Sequence, residues 1–513
     1  MGFDKLGGFW VAPRAEQQIV NYHATDSLST ADSKANSREA TMRSHLIALM
    51  CALLPFESGL ASYGIYVGKN CSSDGSVFLA GYGDEPSSHW LEIVPRRDHP
   101  AGATIKVGAT DKARYPGELI DIPQVSVTAK YITMNYSAFD GFPAPLTNGG
   151  LNEHHVAARD IWSPSREELQ NMTPNPQRGL NYSDLSRIAM ERAKTAREAA
   201  QIVGDLINRY GYATYGGNLH LLADANEGWV LINFAGGKGL WVAERLGPDA
   251  IRVSRPGYIG EIPLNYDKHP DFMGSPNLIS FAVEKGWYDP KSKEPFNVNK
   301  IYGDGKLRHE LVELMEQHLR NLRGKITLAD VMAAVRAPEV TRETAGYGQV
   351  AQLRPNVRPE LGLLWVAPAS PLTAPFVPWY LGGTEVPPEF TRHRYLTEDE
   401  AAKFQDADQR GIESTQYTFQ VFKRLFYLVD EHRDAFLPTV TETLVGFESR
   451  LIAEQRLIVE TAETLFSSGR PDLAVRVLDF YSTTRAGEAL RLGQDLTAGL
   501  DAQTKSRFGV RRP

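Results

Sequence analysis

A chain of 513 residues has room for one large domain with additions, or for two or three ordinary ones. Its 42% hydrophobic and 23% charged residues are the make-up of a soluble globular protein. A net charge of -7 with a pI near 6.0 excludes the basic footprint of a nucleic-acid binder.

Residues 1–41 are polar, rich in Ser, Ala, Asn and Asp, and lose hydrophobic periodicity after about residue 25, so they read as a disordered or misassigned extension. Residues 42–61 have the order of a secretory signal: Met42-Arg43-Ser44-His45, the apolar run LIALMCALL, then Gly59 and Ala61 as small residues before a cut. The apolar run is too short to span a bilayer, and Met42 is the expected start. Cleavage after Ala61 would make Ser62 the mature N-terminus and place the protein in the periplasm or outside the cell. Cys51 would leave with the leader, so Cys71 has no intramolecular disulfide partner in the mature chain.

Residues 65–67 and 76–80 form a predicted hairpin across the polar turn 69–75. A terminal Ser at its start carries its own base, because an α-amine with an ordinary pKa near 8 lies within reach of the hydroxyl. Cys71, in the hairpin turn, is a rival nucleophile, disfavoured because neither a His nor a helix start lies near it in sequence.

Ala61-Ser62, then Val67-Gly68-Lys69, Ser73-Asp74-Gly75-Ser76 and Asp84, together resemble the opening of the cysteine dipeptidase family that includes the secernins, a branch of the N-terminal-nucleophile hydrolases. The resemblance puts Ser62 at the nucleophilic Cys position and Asp84 at the family's last Asp, where it would position the free amine or read a substrate amine. It departs from the family at the Arg-Asn pair, here Gly81-Tyr82; Tyr82 is carried over as a substrate contact. What it implies is an α+β fold, a four-layer αββα sandwich of antiparallel sheets over residues 62–396, with a C-terminal helical region over 397–513. It also implies hydrolysis of small peptides. The rivals are an acylase or amidase acting on a non-peptide amide, and an inactive secreted binding protein of the same fold.

Further along, short strands punctuate residues 89–131, residues 131–136 form a strand, and Gly149-Gly150-Leu151-Asn152-Glu153 is a predicted turn resembling the family's Gly-Ile-Asn-Glu stretch. Asn148 and Asn152 are candidate oxyanion amides there. One helix is expected from about residue 183 to 210, then a three-strand meander through 217–223, 228–235 and 239–245. His155 and His220 are expected to be packed rather than catalytic. Arg255 stands at the family's Asn in a Val-Thr-Asn-Pro-like segment, where a guanidinium could replace the Arg lost at Gly81. Arg308 lies about where the family has an Arg ahead of the helix predicted over 306–322. A short helix over 327–335, two strands near 348–353 and 362–370, and a Pro-rich aromatic loop at 370–380 complete the domain. Three helices follow the loop. No metal-ligand spacing, phosphate loop or dinucleotide fingerprint occurs, so no cofactor is expected. The expected partner is a small peptide or amide substrate, with no nucleic acid and no stable membrane insertion, and a homo-oligomer is left open.

Overall fold

The computed structural model describes residues 62–83, 89–137, 139, 141–254, 259–305, 310–342, 344–391 and 417–509. Two antiparallel sheets face each other. One has six strands: β1 (Tyr63–Val67), β2 (Val77–Gly83), β10 (Ile251–Ser254), β12 (Tyr347–Leu353), β13 (Leu363–Ala367) and β14 (Val377–Tyr380), in the order β10-β1-β2-β12-β13-β14. The other has eight: β3 (His89–Val94), β4 (Tyr131–Tyr136), β5 (Leu146–Asn152), β6 (Ala157–Trp162), β7 (Gly217–Ala223), β8 (Gly228–Phe234), β9 (Trp241–Leu246) and β11 (Phe272–Gly274). Their order is β11-β9-β8-β7-β6-β5-β4-β3.

Strand alternation sorts the side chains into layers. Tyr66, Val77 and Leu79 of the six-stranded sheet meet Leu219, Leu221, Val230 and Ile232 of the eight-stranded sheet in the central layer. The outer face of the eight-stranded sheet, with Ala158, Leu222 and Leu231, is covered by Leu185, Ile188, Ala199 and Val203 from α1 (Tyr182–Arg192) and α2 (Ala196–Tyr210). The outer face of the six-stranded sheet, with Tyr63, Ile65, Phe78 and Ala80, lies under α3 (Glu310–Asn321) and α4 (Leu328–Val335), which supply Val312, Met315, Leu319, Val331 and Val335. The result is helix, sheet, sheet, helix, the αββα order expected from the sequence.

Three local expectations change. The single helix over 183–210 is two, because Thr195 caps α2 by accepting the Glu198 N–H at 3.1 Å while the Lys194 N–H reaches the Glu198 carboxylate at 2.7 Å. That paired capping ends one helix and starts another. The turn expected at 149–153 is displaced: residues through Asn152 belong to β5, and the chain reverses at 153–155, where Asn152 Oδ1 accepts the N–H groups of His154 and Val156 at 3.0 and 2.9 Å. His155 therefore sits in a turn with φ of 58°. Part of the aromatic loop at 370–380 is strand β14, because Val377 and Tyr380 find ladder partners on β13.

The last three helices, α5 (Thr418–Glu431), α6 (Arg433–Ser467) and α7 (Pro471–Arg507), extend the layer over the six-stranded sheet. Phe422, Leu425, Phe436, Val440 and Leu478 share a core with the α3 and α4 side chains. Glu448 of α6 forms a buried two-point ion pair with Arg336, accepting from Nη1 at 2.9 Å and also from Nη2. The same carboxylate accepts the Phe376 N–H at 2.8 Å, and Arg336 Nε donates to the Pro371 carbonyl at 2.7 Å. Asp479 of α7 captures the Thr384 and Glu385 N–H groups at 2.6 and 3.1 Å. Among the described residues no helix is long and apolar enough to cross a membrane.

Candidate active site

Ser62 immediately precedes β1, and only 5% of its surface is exposed. A β-carbon on Gly64 would run into Leu221 and Ile161 of the opposite sheet, so Gly64 faces the central layer. Alternation puts Ser62 on the same face. Tyr63 pairs with Tyr82 and Gly83 with Tyr347, so extending the register one step sets Ser62, Gly83 and Tyr347 in a row across the sheet.

The floor under that row is polar. Arg159 on β6 is fully buried among the aliphatic side chains of the central layer. Its guanidinium donates to the Tyr82 carbonyl oxygen, donates to the Tyr347 hydroxyl at 3.0 Å, and stands 5.4 Å from the Tyr347 ring centroid. The Tyr347 hydroxyl in turn donates to Gln349 Oε1 at 3.3 Å, and Gln349 Nε2 donates to the Ala158 carbonyl at 3.1 Å. His89 stacks beside Tyr136 and Phe419, with ring centroids 5.1 and 5.7 Å away, and lies tilted against Tyr347 at 5.3 Å. Phe419 belongs to α5, so the C-terminal helices reach this end of the sandwich.

Asn148 is buried on β5, and the next residue, Gly149, is the register partner of Arg159. Asn152, the second oxyanion candidate, is committed to structure, its amide nitrogen donating to the Met190 and Ala193 carbonyls at 2.9 and 2.8 Å. Tyr82 corrects an expectation. Its side chain lies on the opposite face of the sheet, fully buried against Tyr63, with the hydroxyl donating to the Val340 carbonyl at 2.6 Å. Only its backbone carbonyl reaches the Ser62 side. Cys71 lies beyond the far end of β1, buried, with its thiol pushed up by desolvation, which disfavours the thiolate. Asp84, Arg255 and Arg308 lie outside the described residues.

Gly81 explains why β2 carries no cation here. Its φ of 152° is one that side-chain-bearing residues rarely adopt, and a β-carbon would overlap the Tyr63 carbonyl oxygen. Gly81→Arg is therefore expected to part β1 from β2, cost about 1–3 kcal/mol and lower activity. Thermal unfolding and kcat/KM of the variant check this; a stable, more active variant would contradict it.

On the outer face of the eight-stranded sheet, His220 of β7 is buried between Ser186 of α1, 3.3 Å from Nδ1, and Asn218, 3.3 Å from Nε2, with Asp160 beside Asn218 at 3.3 Å. Burial holds its imidazole down at about 3. An unfolded chain takes up that proton near pH 6.5, so this contribution to stability is complete above pH 6.5 and is lost as pH falls toward 3. His220→Gln is expected to flatten the decline of unfolding free energy between about pH 6 and 4, read by urea denaturation at a series of pH values. A slope equal to the wild type's would refute it.

Residues 61–311 match the model described as Peptidase family C69. The chain carries a C69 peptidase region. The match opens one residue before Ser62. "Probable dipeptidase B" of Streptococcus pyogenes serotype M3 is 21% identical over 529 aligned positions, covering 91% of this chain and 98% of that protein. "Probable dipeptidase" of Latilactobacillus sakei is 26% identical over 245 positions, covering 47% of this chain and 48% of that protein. Among solved structures, a mutant of the conjugated bile acid hydrolase from Clostridium perfringens is 11% identical and covers 66% of this chain and 98% of that one, with a TM-score of 0.30. Sequence reasoning missed Arg159, Tyr347, Gln349 and His89, which build the floor of the C69 region's Ser62 end. The signal for Arg159 was available: in Ala157-Ala158-Arg159-Asp160-Ile161 a charge shares the alternating face of Ala157 and Ile161, where an apolar residue is the rule.

Proposed function

We propose that the chain is a dipeptidase-like amide hydrolase in which Ser62, freed at its amino side, is the nucleophile. The supporting observation is positional: the C69 match begins at residue 61, and Ser62 is the buried residue that leads into β1 on the face toward the opposite sheet. In this reading the Ser62 hydroxyl attacks the substrate carbonyl carbon and passes its proton to the α-amine, while the carbonyl π pair moves onto oxygen. The ammonium then protonates the leaving amine as the C–N bond breaks, and water releases the acyl group. Asn148 is the proposed oxyanion donor among the described residues. Asp84, Arg255 and Arg308 remain proposed site residues from the resemblance. The leader reading of residues 42–61 supplies the route to a free Ser62 and with it an exported, periplasmic or secreted enzyme.

The test is a reading of the purified protein's mature N-terminus by mass spectrometry, with a panel of unblocked dipeptides and acyl amides. Ser62 at the terminus with dipeptide turnover is expected. Any residue retained ahead of Ser62 removes the base and overturns the proposal. Preference for acyl amides would favour the acylase reading, for which the absence of a cation at Gly81 is the specific argument.

A further inference from the structure

We infer that Arg159 is the positioning cation of this site. It fixes the end of β2 beside Ser62, and its charge keeps the Ser62 α-amine in the neutral form that can act as a base. The inference rests on the Ser62 reading.

Four observations carry it. The guanidinium is wholly buried in the layer between the sheets, a placement whose desolvation penalty is high enough that ionised groups there are rare unless paired or hydrogen-bonded. It crosses from β6 on one sheet to the Tyr82 carbonyl and Tyr347 hydroxyl on the other, and those two residues bracket Gly83, the register neighbour of Ser62. Tyr347 is itself held by Gln349, which is tied back to the Ala158 carbonyl next to Arg159, so one closed loop of side chains joins the sheets under Ser62. Finally, β2 cannot supply the charge, because Gly81 has no space for a side chain.

A fixed positive charge close to an amine in a low-dielectric layer disfavours the ammonium form and lowers the amine's pKa from its ordinary value near 8. At neutral pH more of the enzyme then holds the free base. The charged and titratable groups near Arg159 include Asp160, whose carboxylate approaches to 3.8 Å, the Tyr347 phenol, and His89, whose tilted ring lies 5.3 Å from that of Tyr347. Asp160 opposes the effect.

The experiment compares wild type, Arg159→Met, Arg159→Lys and Tyr347→Phe in the mature enzyme. The pH profile of kcat/KM is measured on the best dipeptide of the panel, and the α-amine pKa by competitive acetylation read by mass spectrometry. In Arg159→Met the amine pKa and the acid limb are expected to rise together by about one unit, with kcat falling more than KM changes. Arg159→Lys keeps the charge and is expected to keep the limb while losing kcat; Tyr347→Phe keeps the guanidinium and is expected to do the same. A folded Arg159→Met with the wild-type amine pKa overturns the inference. Should Arg159→Met not fold, a limb shifted in both Arg159→Lys and Tyr347→Phe overturns it. Failure of the underlying reading looks different: Ser62→Ala stays active, or the mature chain begins ahead of Ser62.

Discussion

Ser62→Ala is expected to lose kcat by about 10⁴-fold or more, the scale seen when a hydrolase nucleophile is removed, with the fold intact. The methyl group fits where the hydroxyl sat, because residue 62 is buried at the lip of β1 and the strand behind it is held by Gly64, Ile65, Tyr66 and Val67 paired on both sides to β2 and β10. Thermal unfolding should therefore match the wild type, while hydrolysis of every dipeptide in the panel should disappear. Ser62→Cys separates chemistry from geometry: it preserves a nucleophile beside the same amine and is expected to remain active. An active Ser62→Ala, or an inactive Ser62→Cys that is folded, places the chemistry elsewhere.

Glu448→Ala is expected to destabilise the protein by about 3–5 kcal/mol, since it strands the Arg336 guanidinium in a buried setting. Both side chains are about 5% exposed or less, so solvent cannot replace the lost partner. The damage extends past the pair. Glu448 also holds the Phe376 N–H, and Arg336 holds the Pro371 carbonyl; Pro371 and Phe376 pack against Gly348, which is next to Tyr347. Urea denaturation should show the loss, and kcat should fall with it because Tyr347 stands on that strand. The double replacement Arg336→Met with Glu448→Met removes both charges and is expected to recover part of the stability. If the single variant unfolds at the wild-type urea concentration, the pair does not hold the two regions together.

The layered architecture was legible because its strands announce themselves. Val77 to Gly83, Gly217 to Ala223 and Gly228 to Phe234 are short, β-rich and bounded by turn residues, and each emerged as a strand. The amphipathic spacing of Leu311, Leu314, Met315 and Leu319 gave a helix for the same reason. Boundaries were harder where caps decide them: nothing in the apolar spacing of residues 182–210 marks the break that Thr195 and Glu198 impose. The site was only half legible. Ser62 follows from a local pattern, but Arg159 acts on residues 77 and 188 positions away, a distance no local spacing spans. Tyr82 was misplaced because strand alternation turned its phenol away while its carbonyl stayed.

The order of the six-stranded sheet bears on how the protein is made. β2 lies between β1, its immediate predecessor, and β12, whose residues leave the ribosome only after the entire eight-stranded sheet has been translated. Glu448 and Asp479, which fasten the segments following β13 and β14, emerge later still. Under the proposed reading, a nascent chain thus carries Ser62 for most of synthesis without Tyr347 and Gln349 in the floor beneath it.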